Sequence, residues 1–337
     1  MSTIVHKREP GKSNEHYVAE CLANKTVPQV FEDFLSEKLK DTIIEQHNKI
    51  NFLLTKEELK SFIGILLLSG YHRLPHENMY WEQAPDVGVP LVFNSMSGNS
   101  FREIKRFIHL NDNSKIDRND KMYKLRLYFE ILKKEFGKFG VFHSELSIDE
   151  MMVRYYRKPS AKMFLRGKPI KFGYKIWCLT SSNGFLYNFS PNCGKTDNKQ
   201  EPLGARVINE LTSMIPESEY LNYKLFFDNF FTSVDTLITR GKSKMKATGT
   251  IREIRTDACP LIDSKRMAKE KDRGFYDYMF DKENEVLVVK WSDNKPVCVA
   301  TNYSTITPLS STKRYSPAKK KEICHISLKN TMPIWAA

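Results

Sequence analysis

The spacing of apolar residues changes near residue 145, and this change constrains the fold more than any other feature of the chain. Between about residues 27 and 140 the apolar residues recur at helical spacing, as in the series Leu125, Phe129, Leu132 and Phe136. Thr55 and Glu58 have the spacing of a capping box at the start of a further apolar helix. Beyond residue 145 the spacing becomes that of strands. The pattern predicts an α+β protein, with a helical N-terminal part followed by a β-sheet.

The strand-forming part has a recognisable order of elements. Three strands are predicted in hairpins, at residues 146–151, 171–179 and 185–189. A helix follows, then residues 224–228, which are too apolar to alternate and so favour a strand buried on both faces. A second helix, beginning at Ser233, leads to a strand over residues 246–251. This order is typical of an RNase H-like mixed sheet.

The remaining segments complete the predicted domain organisation. Residues 275–280, 286–291 and 297–301 are joined by short polar turns and predict a separate β-meander, inserted after the fifth strand. We therefore expect a flexible tail (1–26), a helical N-terminal domain (27–143), an RNase H-like core (144–252), an inserted β-rich domain (253–310) and a basic tail (311–337).

Composition restricts the partners of the chain. The 53 Lys and Arg residues exceed the 40 Asp and Glu residues, which gives a net charge of +13 and favours a polyanionic partner. No apolar stretch approaches the roughly 20 residues that span a bilayer, and the N-terminus has no signal-peptide core, so no membrane partner is expected. The 6 cysteines are scattered, which argues against a zinc module and a disulfide framework. No small-molecule substrate is indicated.

Two aspartates lie where this sheet would bring them together. Asp149 belongs to the first predicted strand and Asp228 ends the fourth, and such a pair can hold divalent cations for phosphodiester chemistry. Simpler interpretations exist for both residues. Asp228 could cap a helix, and Asp149 could be a sheet-edge carboxylate paired with a nearby Lys or Arg.

Two groups of basic residues are candidate contacts to a nucleic acid. The first is free of Asp and Glu and is interleaved with aromatic residues; it contains Arg154, Arg157, Lys158, Lys162, Arg166, Lys168, Lys171 and Lys175. The second precedes the fifth strand and contains Arg240, Lys242, Lys244 and Lys246. Such segments can bind phosphates and stack on bases, although a solvated face remains the alternative. Basic residues at 313–314 and 319–321 could form a split nuclear-import signal or simply a charged tail.

Four ordered motifs resemble those of piggyBac transposases and their domesticated derivatives. They are Ser147-Ile148-Asp149-Glu150-Met151-Met152, the segment 166–177 beginning Arg-Gly-Lys-Pro, Phe227-Asp228-Asn229-Phe230-Phe231-Thr232-Ser233, and Lys246-Ala247-Thr248-Gly249-Thr250-Ile251-Arg252. Residues 62–71 and 79–81 also fit, so the resemblance extends from about residue 27 to about residue 315.

The resemblance implies a DDE-type catalytic core. Asp149 matches the first catalytic aspartate of the family and Asp228 the second, with Mg²⁺ as cofactor, DNA as partner, and a homodimer and a nuclear location as further expectations. The third metal-binding aspartate of the family follows a Gly-Gly-Val-Asp segment that this sequence does not contain. Asp293 is a candidate substitute, although it lies in a predicted hairpin turn.

The last residues, 316–337, do not read like family sequence. We therefore expect a C-terminally truncated, DNA-binding relative without strand-cleavage activity. Two alternatives stay open at this point. The chain could be an active Mg²⁺-dependent transposase or nuclease that is completed by another ligand or a partner chain, or it could be a decayed, non-functional transposon product.

Overall fold

The computed structural model describes residues 18–20, 22–48, 53–84, 86–139, 143–155, 163–165, 168–194 and 201–306, together with the strands at 310–314 and 322–326. The chain divides into two compact units, Met1–Phe139 and Gly140–Ala337. No helix of the described residues combines the length and the apolar character that crossing a membrane requires.

The first unit is helical. Its α-helices are α1 (Val27–Phe34), α2 (Glu37–Asn48), α3 (Lys56–Tyr71), α4 (Pro90–Phe93), α5 (Gly98–Phe107) and α6 (Tyr123–Phe139). Short 3₁₀ turns occupy Glu77–Trp81 and Asn113–Lys115. Helix α4 lies inside the stretch 85–98, whose Pro, Gly and Asn residues are typical of a loop.

Helix α3 shows how local sequence determines an element of this unit. The side chain of Thr55 accepts a hydrogen bond from the backbone N–H of Glu58, and the Glu58 carboxylate accepts one from the backbone N–H of Thr55, which confirms the predicted capping box. Leu59, Phe62 and Ile65 are buried in the core of this unit. Leu66 lies half exposed, so the buried residues of this helix recur every three positions.

The second unit contains the sheet. Its strands are β1 (Glu145–Arg154), β2 (Met163–Phe164), β3 (Phe172–Ser181), β4 (Leu186–Pro191), β5 (Lys224–Phe227), β6 (Lys246–Thr250), β7 (Tyr276–Asp281), β8 (Val286–Ser292) and β9 (Pro296–Thr301). A two-stranded ribbon pairs β10 (Ser310–Arg314) with β11 (Glu322–Ile326). The helices are α7 (Leu203–Thr212), α8 (Val234–Lys242) and α9 (Ser264–Glu270), with 3₁₀ turns at Glu217–Asn222 and Glu253–Arg255.

The strand order is the one predicted for an RNase H-like sheet. Along the sheet, β4 pairs with β3, β3 with β1, β1 with β5, and β5 with β6. Strand β1 is antiparallel to β3 and parallel to β5, and β5 is parallel to β6. The connections from β4 to β5 and from β5 to β6 contain α7 and α8, so the α+β mixed-sheet prediction is confirmed.

The predicted meander is also present, but it is not a separate sheet. Strands β7, β8 and β9 pair in antiparallel succession. Strand β9 also pairs with β6, with Gly249 opposite Ala300, so the meander continues the main sheet of the described residues. Sequence periodicity identified the three strands correctly but did not indicate that the exposed edge of β6 would receive one of them.

The core of this unit holds the central strands in place. Ile148 of β1 and Phe227 of β5 are fully buried in one apolar cluster, to which α7 contributes Leu211 and α8 contributes Leu237. On β6, a Cβ atom at Gly249 would lie 2.5 Å from the carbonyl oxygen of Phe227 and against the Thr232 side chain. The glycine therefore permits the close approach of β6 to the end of β5.

Candidate metal centre

Asp149 and Asp228 are brought together by the pairing of β1 with β5. The two strands run parallel, and the register places Ile148 beside Phe227, the last residue of β5. Asp149 and Asp228 are the next residues along their respective chains. Since side chains alternate between the faces of a strand, this register directs both aspartates to the side opposite the buried Ile148 and Phe227.

The two aspartates form an acidic cluster with Glu150. One carboxylate oxygen from each of Asp149, Glu150 and Asp228 lies within 4.8 Å of those of the other two residues, and all three residues are partly buried. We refer to these three residues as the acidic cluster. The sequence did not single out Glu150, because alternation along β1 directs it away from Asp149. Its longer side chain nevertheless reaches the end of β5.

Backbone hydrogen bonds orient both aspartates. Oδ1 of Asp149 accepts a 2.7 Å bond from the N–H of Glu150, and Oδ1 of Asp228 accepts a 2.9 Å bond from the N–H of Phe230. Each bond restricts rotation of a carboxylate without neutralising it. Asp228 does not cap α8, whose N-cap is Ser233; it makes a local turn contact and is a member of the cluster.

Burial and like charges disfavour ionisation of the aspartates. Burial raises the pKa of Asp149, and the neighbouring charges of Glu150 and Asp228 raise it further. Burial likewise raises the pKa of Asp228, with a further contribution from Glu150. A divalent cation would reverse these penalties, and carboxylate oxygens are the ligands that Mg²⁺ prefers. The donor set therefore fits a hard divalent cation.

Two lysines contact the acidic cluster through Glu150. Nζ of Lys168 lies 3.1 Å from one oxygen of Glu150, and Nζ of Lys175 lies 3.8 Å from the other. Burial alone would raise the pKa of Glu150, but the bond from Lys168 and the charge of Lys175 lower it overall. Glu150 is therefore the carboxylate whose charge is compensated by the protein itself.

Lys175 is also enclosed by aromatic rings. Its ammonium lies 3.8 Å from the ring centroid of Trp177 and 5.0 Å from that of Phe230, and the residue is only 8% exposed. Burial lowers the pKa of this ammonium. The predicted role of Lys175 as a DNA contact does not fit this position, because the charge points into the protein rather than towards solvent.

The other predicted DNA contacts fall into separate places. Arg154 and Lys171 are exposed near the ends of β1 and β3. Lys242 and Lys244 are exposed before β6, whereas Asp228 follows β5; because these two strands are parallel, the second basic group lies at the opposite end of the sheet from the acidic cluster. Four further predicted contacts lie outside the described residues: Arg157, Lys158, Lys162 and Arg166.

Asp293 does not act as a substitute for a third aspartate. It accepts hydrogen bonds of 2.8 and 2.6 Å from the guanidinium of Arg273, in the turn between β8 and β9. It is not a member of the acidic cluster. The carboxylate that joins Asp149 and Asp228 is Glu150 instead.

Comparison with solved structures supports the fold. A chain from the cryo-EM structure of a piggyBac transposase synaptic complex with hairpin DNA matches with a TM-score of 0.73 and 19% sequence identity. The match covers 85% of this chain and 63% of that chain. At this identity the likeness shows that the folds are shared.

Sequence comparisons identify the family. A family model described as Transposase IS4 matches residues 28–330. Human PiggyBac transposable element-derived protein 2 is 36% identical over 300 residues, covering 86% of this chain and 50% of the relative. Human PiggyBac transposable element-derived protein 3 is 35% identical over 308 residues, covering 89% of this chain and 52% of the relative. The chain spans about half the length of these relatives. The agreement of motifs, fold and family match shows that the chain belongs to the piggyBac transposase family.

Proposed function

We propose that this protein is a transposase-derived DNA-binding protein whose acidic cluster binds a divalent cation, Mg²⁺, and which does not cleave DNA by itself. The observation that carries the proposal is the convergence of Asp149 and Asp228 from two parallel strands. Family membership supports DNA as the partner, since one solved relative is a synaptic complex with hairpin DNA.

Asp149 and Asp228 would hold the cation between them. When bound, the ion would supply positive charge that polarises a phosphodiester oxygen. The backbone bonds to Oδ1 of each aspartate keep the two carboxylates oriented before the cation arrives. The neighbouring pair of Lys168 and Lys175 leaves Glu150 less available as a ligand.

An exposed surface near the end of β1 and the start of β3 suits a nucleic acid. Arg154 and Lys171 provide positive charge, and the paired rings of Phe164 and Phe172, with centroids 4.8 Å apart, are both more than half exposed. Tyr155 is also partly exposed. We call these five residues the basic-aromatic surface. Because Arg154 is five residues along β1 from Asp149, about 17 Å separates them, a span that one DNA segment can bridge.

The charges around Glu150 argue against cleavage. Strand cleavage of this type uses two divalent ions about 3.5–4 Å apart, which share carboxylate ligands. Two ammonium groups already compensate Glu150, so two carboxylates of the acidic cluster remain for two ions. We propose that one cation binds and that the second lacks sufficient ligands.

A second candidate function follows from the same cluster. If Glu150 exchanged both lysines for metal, it would complete a set of three carboxylates, and the protein would be an active Mg²⁺-dependent nuclease or transposase. A nicking assay on supercoiled DNA with Mg²⁺ or Mn²⁺ separates the two candidates. The first predicts no nicking; nicking that both Asp149→Ala and Asp228→Ala abolish would overturn it in favour of the second.

DNA binding is tested by the dependence of affinity on salt. The double variant Arg154→Gln/Lys171→Gln removes two charges from the basic-aromatic surface. Lys265→Gln/Lys269→Gln removes two exposed charges from α9 and serves as the matched control. We expect the first variant to reduce the slope of log affinity against log salt by about 2 and the control to leave it unchanged. A flat salt dependence of the wild-type protein, or equal slopes in both variants, would contradict the proposal.

The DNA partner also implies a cellular location and an assembly. We propose a nuclear location, supported by the basic residues at 313–314 and 319–321, and test it with a fluorescent fusion in which these residues are replaced by Gln. We further propose a homodimer on DNA. Light scattering of the purified complex would refute this if the mass corresponds to one protein chain.

A further inference from the structure

The two lysines that contact Glu150 differ in their freedom to move. Lys175 is buried between the rings of Trp177 and Phe230. The Lys168 side chain, in contrast, is 43% exposed and belongs to a segment without regular secondary structure. Its ammonium makes a 3.1 Å contact with Glu150 and interacts with Asp149 and Asp228 through charge alone. The ammonium group of Lys175 is therefore held in place, whereas that of Lys168 can move away from Glu150.

The charge balance of the acidic cluster favours the departure of Lys168 when a divalent cation binds. With all groups ionised, three carboxylates and two ammonium groups carry one net negative charge. A bound divalent cation would reverse this to one net positive charge. The repulsion between the ion and the two ammonium groups is relieved most easily by movement of Lys168, because its side chain already reaches solvent, whereas moving Lys175 would break its contacts with two aromatic rings.

We propose that Lys168 is an exchangeable counter-ion of the metal centre: it pairs with Glu150 while the divalent cation is absent, and it moves to a DNA phosphate when that cation binds. This inference rests on the metal site of the proposed function. It changes the role that the sequence suggested for Lys168, from a permanent DNA contact to one that depends on the cation.

The position of Lys168 relative to the basic-aromatic surface supports the second half of the exchange. Lys171 and Phe172 follow it by three and four residues, and both are exposed. A phosphate held by this surface would therefore lie within reach of a long, flexible side chain released from Glu150. Cation binding and DNA binding would then strengthen each other, as linkage requires.

Binding of Mn²⁺, measured by electron paramagnetic resonance without DNA, tests the first half. We expect Lys168→Met to bind Mn²⁺ about tenfold more tightly than the wild type, because a competing charge has gone. Lys168→Arg should restore the wild-type affinity, and Lys171→Met, an exposed lysine of the same segment, should not change it. Equal or weaker binding by Lys168→Met would overturn the inference.

Affinity for a DNA duplex with and without Mn²⁺ tests the second half. Lys168→Met should weaken DNA binding several-fold only when Mn²⁺ is present, whereas Lys171→Met should weaken it in both conditions. Equal losses for Lys168→Met in the two conditions would show a permanent contact and refute the exchange. If the wild type and Asp149→Asn both fail to bind Mn²⁺, the metal site itself is wrong. If the wild type binds Mn²⁺, Asp149→Asn does not, and Lys168→Met binds as tightly as the wild type, the inference alone fails.

Discussion

Replacement of Asp228 by Asn should stabilise the cation-free protein and remove its response to divalent cations. The change is nearly isosteric, and the amide oxygen can still accept the hydrogen bond from the N–H of Phe230. The substitution removes one negative charge. A carboxylate oxygen of Asp228 lies within 4.8 Å of carboxylate oxygens of Asp149 and Glu150.

The magnitude follows from the geometry. One pair of like charges at 4.8 Å costs about 3.5 kcal/mol at an effective dielectric constant of about 20. The cluster is partly exposed and Lys168 and Lys175 offset some of the repulsion, so we expect a net gain of about 1–2 kcal/mol. For a unit of this size that corresponds to an increase in Tm of about 2–8 °C.

Calorimetry with and without Mg²⁺ gives the decisive contrast. At 100 times its Kd the ion should stabilise the wild-type protein by about 2.7 kcal/mol, and Asp228→Asn should show little of this effect. Asp235→Asn is the matched control, because Asp235 is exposed in the first turn of α8, and losing its charge there should cost about 0.3–1 kcal/mol. The reasoning would be refuted if cation-free Asp228→Asn had a lower Tm than the cation-free wild type. It would also be refuted if Mg²⁺ stabilised Asp228→Asn and the wild type equally.

Three other predictions concern pH, packing and capping. Burial and Glu150 raise the pKa of Asp228, so the contribution of Asp228 to the stability of the cation-free protein falls as pH rises from about 4 through that pKa. The advantage of Asp228→Asn over the wild type in urea unfolding should accordingly shrink as pH falls towards about 4. Gly249→Ala should cost about 1–3 kcal/mol in the same assay, since its Cβ meets the Phe227 carbonyl. Thr55→Ala should cost about 1 kcal/mol by removing the N-cap of α3, seen as reduced helicity on heating.

The sequence predicted the meeting of the two aspartates because the necessary information is local. The apolar run 224–228 indicates a central strand, and the predicted order of strands and helices places it beside the first strand. Parallel pairing then brings Asp149 and Asp228 to the same end. The prediction used the periodicity of each segment and the common connection rules of mixed sheets, together with the resemblance of the two aspartate motifs to those of the family.

The environment of the aspartates could not be predicted in the same way. Glu150 alternates away from Asp149 along β1, so only the ending of β5 at Phe227 explains how its carboxylate enters the cluster. Lys168 and Lys175 look like the other basic residues of their segment. The pairing of Lys175 with Glu150 depends on the antiparallel register of β1 and β3, and that of Lys168 depends on the path of the segment before β3. The joining of β9 to β6 is likewise a long-range pairing without a local signal.

We propose that Asp149 and Asp228 hold one divalent cation between them. Iron-directed cleavage tests it most directly: Fe²⁺ bound in place of Mg²⁺ generates hydroxyl radicals that cut the protein backbone near the ion. We predict two sets of cuts, around residues 149–151 and 227–230, both suppressed by excess Mg²⁺ and both lost in Asp149→Asn and in Asp228→Asn alike. Cuts at one of the two segments only, or cuts that persist in either variant, would contradict a shared ion.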